Sequence, residues 1–204
     1  MGAGGAARDP IPFVGLTGGI GAGKSEALAA LERLGAATLS SDAVVHEILS
    51  TEEARDALVE RLGPEVAPEG AIDRGAVAEA VFGDPERREW LEAYLWPRVG
   101  ERIASWRGQL AAAEPPPRAA VVEVPLLFES GMEAVFDHTI AVIAHDGVRA
   151  DRIGGRGHAG VESRESRQLG QDEKAQRADF AVRNDGTIEE LERALSQILG
   201  TMSP

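Results

Sequence analysis

Gly18-Gly19-Ile20-Gly21-Ala22-Gly23-Lys24-Ser25 is the stretch that decides how this chain folds. It follows the apolar run Phe13-Val14-Gly15-Leu16-Thr17. It opens a segment, Lys24 to Leu34, in which Ala27, Leu28, Leu31 and Leu34 recur at helical spacing before Gly35. Strand, glycine-rich loop and helix in that order is the context in which G-x-x-x-x-G-K-[ST] binds phosphate. The glycines let the loop curl so that successive backbone N–H groups face phosphate oxygens, and the start of the helix adds its partial positive charge. Lys24 then reaches the β- and γ-phosphates and the Ser25 hydroxyl is a ligand for Mg²⁺. An ordinary glycine-rich turn with an incidental lysine is the bland alternative, and the agreement of pattern with context argues against it. The motif indicates nucleotide phosphate and no more, because GTPases, ATPases, small-molecule kinases and regulatory switches all carry it.

Working outward, Ala37 to Leu39 reads as a second short strand ending near Ser41, and the segment after it, with Val44, Val45, Ile48 and Leu49, as a helix capped by Asp42. Residues from about 53 to 114 read as helical, with breaks at Gly63-Pro64, Gly83-Asp84-Pro85 and Pro97, and Pro115-Pro116-Pro117 closes that block. Ala119 to Val124 reads as a buried parallel strand, Thr139 to Ala144 as another, Phe180 to Val182 as a last one, and Thr187 to Leu199 as the final helix. The stretch from Gly147 to Arg167 is polar and rich in Gly and Arg. Strands alternating with helices predict a three-layer α/β/α P-loop nucleoside triphosphate hydrolase fold with a parallel sheet.

The expected organisation is a tail over 1–12 and one domain over 13–204. Its core is 13–41, 118–144 and 175–204, with a helical insert over 42–117 and a lid over 145–174.

A chain of 204 residues with 43% hydrophobic content builds one good core. With no cysteine there is no disulfide framework and no thiolate metal site. The start of the sequence has neither the basic nor the apolar run of a signal peptide, and no stretch approaches the ~20 apolar residues of a membrane helix, so a cytoplasmic protein without a membrane partner is expected. The formal charge of −13 argues against a nucleic-acid partner, which demands a basic surface, and directs attention to locally basic sites. Lys24 and Lys174 are the two lysines among 21 basic side chains. Six arginines and Lys174 fall between Arg149 and Arg177, interleaved with Gly154, Gly155, Gly157 and Gly160. A lid that carries Arg152 and Arg156 to a transferring phosphate and a solvated helix pair both fit that pattern.

Asp42 stands at the mouth of the second strand, on the carboxyl edge of the sheet where ligands of α/β folds bind. It is placed to take a proton from an acceptor hydroxyl, or to cap a helix, or both. His46, four residues on, shares its helix face, and its plain reading is an exposed helix histidine. Leu126, Leu127 and Phe128 line a pocket or belong to the core, and Glu129 binds an acceptor or caps a turn. Glu123, at a strand end, is a weaker candidate for supporting Mg²⁺. Asn184-Asp185-Gly186 forms a turn after the last strand, next to which adenine has room.

The residues also resemble the dephospho-coenzyme A kinase family. Gly15 to Ser25 reproduces its opening run. Ser41-Asp42-Ala43 with His46, Phe82-Gly83-Asp84-Pro85 with Trp90-Leu91, and Val124-Pro125-Leu126-Leu127-Phe128-Glu129 match further motifs. Matching then continues through Arg156, Arg164 with Gln168, Glu173-Lys174, Arg177-Ala178-Asp179 and Asn184-Asp185-Gly186. Ser40, Glu26, Trp96 and Gly157 depart from the family's usual Asp, Thr, His and Asp. The resemblance implies ATP-dependent, Mg²⁺-assisted phosphorylation of the ribose 3′-hydroxyl of dephospho-coenzyme A, with catalysis by Asp42, Lys24 and Arg156. It implies ATP binding by Gly19, Gly21, Ala22, Gly23, Lys24, Ser25, Glu26, Arg152 and Asn184. Acceptor binding falls to Asp42, His46, Leu126, Leu127, Phe128 and Glu129, and Mg²⁺ to Ser25. Oligomeric state is left open.

Overall fold

The first strand, β1 (Phe13–Gly18), is buried along its whole length, which requires a strand covered on both faces. In the computed structural model, which describes residues 11–154 and 168–202, it is the central strand of a five-stranded sheet of order β2-β3-β1-β4-β5. The other strands are β2 (Ala37–Ser40), β3 (Ala120–Glu123), β4 (His138–Ile143) and β5 (Phe180–Arg183). β1 pairs in parallel with β3 (Leu16 opposite Glu123) and with β4 (Leu16 opposite Ile140), and β4 in parallel with β5.

The helices are α1 (Lys24–Arg33), α2 (Ser41–Leu49), α3 (Glu52–Leu62), α4 (Arg74–Val81), α5 (Pro85–Leu110), α6 (Asp146–Gly154), α7 (Gln171–Arg177) and α8 (Ile188–Met202). Contacts divide the chain into two compact units, one of residues 1–39 and 109–204, the other of Ser40–Gly108.

In the sheet unit, strand alternation sends Val14, Leu16, Val121, Ile140 and Val142 to one face. There they meet Ala27, Ala30 and Leu31 of α1 and Leu191, Leu195 and Leu199 of α8. The opposite face takes Gly15, against which Leu127 and Phe136 pack, and Phe136 stacks on Phe13 with ring centroids 4.6 Å apart. Two covered faces around a parallel sheet make the three layers. In the helical unit, Leu49, Leu58, Leu62, Val66 and Val77 form a separate core, joined by Trp90 and Leu91. Thr51 caps α3 by accepting from the Ala54 N–H, and Asp73 caps α4 by accepting from Gly75 and Ala76.

Two local expectations are corrected. α5 runs through Pro97 without a break. Loss of one N–H costs a single helical hydrogen bond, which the buried Val99 and Ile103 of the same helix offset. The segment between Val66 and Arg74 is a turn around Gly70 at φ 78, not a continuation of helix. Residues 146–154, by contrast, form a helix, which accords with the helix-pair alternative for the start of the basic stretch: Gly147 and Gly154 fall at the ends of α6 and Val148 to Ile153 contain no helix breaker.

Candidate active site

The site grows from the loop between β1 and α1. Gly21 and Gly23 have φ of 76° and 91°, the left-handed region that a side chain disfavours. Lys24 turns back over the loop it follows, its Nζ donating to the carbonyls of Gly18 at 3.1 Å and Gly19 at 3.2 Å. Ser25 is exposed at the second position of α1.

The loop's next carbonyls are held from outside by side chains of α6 and of the turn after β5. Arg149 Nε donates to Ile20 O at 2.9 Å, and Arg152 Nη1 lies 3.4 Å from both Gly21 O and Ala22 O. The buried Asn184 donates from Nδ2 to Ala22 O at 3.0 Å, while its own N–H is fixed on Ile143 O at 2.8 Å. In a planar trans peptide the N–H points opposite to its carbonyl. Engaging the carbonyls of Ile20, Gly21 and Ala22 on one side therefore turns the N–H groups of Gly21, Ala22 and Gly23 to the other. Of these, the Ala22 N–H closes the turn on Gly19 O at 3.2 Å. Three donors thus brace the loop from its carbonyl side, with the Gly21 and Gly23 N–H groups turned the other way.

This packing makes a sharp prediction. A Cβ at Gly23 would stand 2.1 Å from Asn184 Nδ2, in a backbone conformation that already excludes it. Gly23→Ala is expected to cost roughly 1–3 kcal/mol of stability and to abolish ATP binding, whereas Asn184→Ala should keep the fold and weaken ATP. Thermal melts with and without ATP read both.

Asp185, beside Asn184, accepts from the His145 N–H and pairs with Arg183 at 3.3 Å. The His145 N–H first, then Arg183, hold its carboxyl below the usual carboxylate range. Its contribution to stability is therefore present above that range and is lost as pH falls through the lowered value.

Other residues singled out from sequence are distributed differently. Glu26 is ion-paired with Arg33 at 3.4 Å along α1, one oxygen of its carboxylate taken up on the exposed side of the helix. Leu127 is fully buried against Gly15 and Phe128 is 6% exposed, so both side chains serve the core, while Leu126 is half-buried. Arg156 lies outside the described residues, as does most of the Gly- and Arg-rich part of the expected lid.

In the helical unit, Asp42 and His46 are both exposed, one turn apart on α2. Asp42 is not the cap: Ser40 holds that position, with φ −99° and ψ 125°, and Asp42 sits in the first turn. His46 opens onto a cleft of about 230 Å³ that Thr51, Arg55, Ile72 and Arg74 also line.

Sequence reasoning passes over two groups. Arg149 counts there only as lid charge, yet it braces Ile20. Lys174 lies wholly buried, its Nζ 2.9 Å from Glu129 Oε1 and 2.6 Å from Pro125 O. Its rarity in an arginine-rich chain and its place in the Glu173-Lys174 match are the signals available in the sequence.

A glycine-rich loop joining the central strand of a parallel sheet to a helix, with a lysine folded over it and a serine behind it, defines a P-loop nucleotide-binding protein. A model of the dephospho-CoA kinase family matches residues 12–190. Over 200 residues the chain is 36% identical to a dephospho-CoA kinase of Thermus thermophilus, covering 97% of this chain and 94% of that one. It is 38% identical to that of Anaeromyxobacter dehalogenans, covering 93% and 91%. A crystal structure of a Thermus thermophilus protein, 36% identical, superposes with a TM-score of 0.79 over 97% of this chain and all of that one. The chain belongs to the dephospho-CoA kinase family.

Proposed function

We propose that this protein transfers the γ-phosphoryl group of ATP to the ribose 3′-hydroxyl of dephospho-coenzyme A, yielding coenzyme A and ADP. The observation that carries the reading is the braced P-loop, with Lys24 folded over it, in a chain that matches the family along nearly its whole length. The helical unit Ser40–Gly108, close to the insert expected over 42–117, is taken as the acceptor-binding part, and residues 145–174 as the lid. No helix among the described residues is long and apolar enough to cross a membrane, and a cytoplasmic location accords with this reading.

The chemistry asks for positioning and charge neutralisation rather than covalent participation. Loop amides and Lys24 hold the β- and γ-phosphates. Arg152 and Asn184 keep the loop in shape from its carbonyl side. Asp42 takes the proton of the attacking hydroxyl or aligns it. Leu126, Glu129 and His46 are contacts for the acceptor, and Arg156 meets the transferring phosphate.

Among the described residues no cluster of three or more His, Asp or Glu side chains forms a metal site. Mg²⁺, which binds mainly through phosphates and water, fits an exposed hydroxyl, and Ser25 would hold it. When bound, the ion offsets charge between the β- and γ-phosphates.

The test is product analysis. After incubation with ATP and Mg²⁺, dephospho-coenzyme A should gain one phosphate as a 3′-phosphomonoester, visible by mass and ³¹P spectra. Unchanged acceptor with bound ATP would make the protein a nucleotide-dependent binding module instead.

A further inference from the structure

Glu129 and Lys174 form a buried ion pair that joins α7 to the segment following β3. Lys174 has no solvent exposure and the Glu129 side chain has 13%. Both donors that reach Glu129 use the same oxygen. Lys174 Nζ lies 2.9 Å from Oε1, and the Leu169 N–H donates to Oε1 at 2.8 Å. The second oxygen, Oε2, is buried and has no hydrogen-bond partner among the described residues. Lys174 is itself fixed, because it also donates to Pro125 O at 2.6 Å, the carbonyl that accepts from the Thr17 hydroxyl at 3.3 Å.

A buried carboxylate oxygen without a donor is costly, and each such atom calls for an explanation. Here two donors lock the carboxylate by one oxygen and leave the other available. The location favours a ligand as the missing donor. Thr17 lies near the carboxyl end of β1, and Pro125 just beyond that of β3, the edge at which parallel sheets bind their ligands.

We infer that Lys174 is a positioning residue for the acceptor. It fixes Glu129 so that Oε2 receives a hydrogen bond from a hydroxyl or amino group of dephospho-coenzyme A. The inference rests on the proposed function for the identity of the acceptor. Lys174 touches no reacting atom. Its effect passes through Glu129, and the paired substitutions Glu129→Gln and Lys174→Met would fill similar space without the aimed charge.

Steady-state kinetics, ATP titration and thermal melting on four variants test this. Lys174→Met and Glu129→Gln should each lower kcat/KM for dephospho-coenzyme A by roughly 10–10²-fold, chiefly through KM, with ATP affinity as in the wild type. The double variant Glu129→Gln/Lys174→Met should be no worse than either single variant, since both act through one contact. Lys174→Arg, which keeps the charge, should recover part of the loss.

Leaving Glu129 buried and unpaired makes Lys174→Met prone to unfold. Should it do so, Glu129→Gln and the double variant carry the same readout. A folded double variant with wild-type acceptor KM would overturn the inference, as would equal losses toward ATP and acceptor. Wild-type protein that leaves dephospho-coenzyme A unphosphorylated would remove the proposed function and this inference together, whereas effects absent only in the variants remove the inference alone.

Discussion

Asp42→Asn is expected to lower kcat with dephospho-coenzyme A by roughly 10²–10⁴-fold, the usual worth of a positioned general base, while ATP binding and the fold stay intact. A ribose hydroxyl ionises far above neutral pH, so transfer gains from a carboxylate that takes or aligns its proton. Asn keeps the shape of Asp and loses only the charge. The structural cost is small, because the cap of α2 is Ser40 and the Asp42 side chain is exposed in the first turn. What the helix loses is a favourable charge near its positive end, about 0.3–1 kcal/mol. Ser40, where the family commonly has a carboxylate, has no charge with which to replace it. Turnover near the wild-type rate would reduce Asp42 to a helix-end charge, and lost ATP binding would move it to the nucleotide site.

Lys24→Met should be nearly as damaging, and its signature differs. Methionine retains the stem of the side chain and removes the ammonium that donates to Gly18 O and Gly19 O. The loss acts on phosphate and not on the acceptor. Removing one donor that stabilises developing charge costs roughly 10²–10³-fold in kcat. That fall should appear with every acceptor offered, together with weaker ATP binding. A Lys24→Met enzyme with wild-type ATP turnover would detach the lysine from phosphate handling. The pair of variants therefore separates the two halves of the reaction: Asp42 for the hydroxyl, Lys24 for the phosphates.

Much of this architecture is legible in the sequence because it is written locally. The strand, loop and helix around Lys24, and the short apolar runs that form β2 to β5, are set by spacing within a few residues. What escapes is set by partners distant along the chain. Asn184 and Ala22 are 162 residues apart, and Lys174 and Pro125 are 49 apart. No periodicity connects them, so nothing local reveals that a turn asparagine and an arginine of the basic cluster brace the P-loop. Glu26 stands out in the sequence as an unfavourable charge beside phosphate, and only the position of Arg33 two turns along α1 shows how it is occupied. Pro97 reads as a break because intrinsic propensity takes no account of the packing of Val99 and Ile103. The apolar run Leu126 to Phe128 is ambiguous from composition alone; burial gives Leu127 and Phe128 to the core and leaves Leu126 half-buried.

The central claim is that a braced P-loop serves phosphoryl transfer to one particular acceptor, and acceptor preference tests it most directly. ADP release by the purified protein with ATP and Mg²⁺ should be compared for dephospho-coenzyme A, AMP, shikimate and gluconate under the same conditions. The account predicts a kcat/KM for dephospho-coenzyme A well above that for each of the others, and little ADP without an acceptor. Equal or faster phosphorylation of AMP, shikimate or gluconate would contradict it.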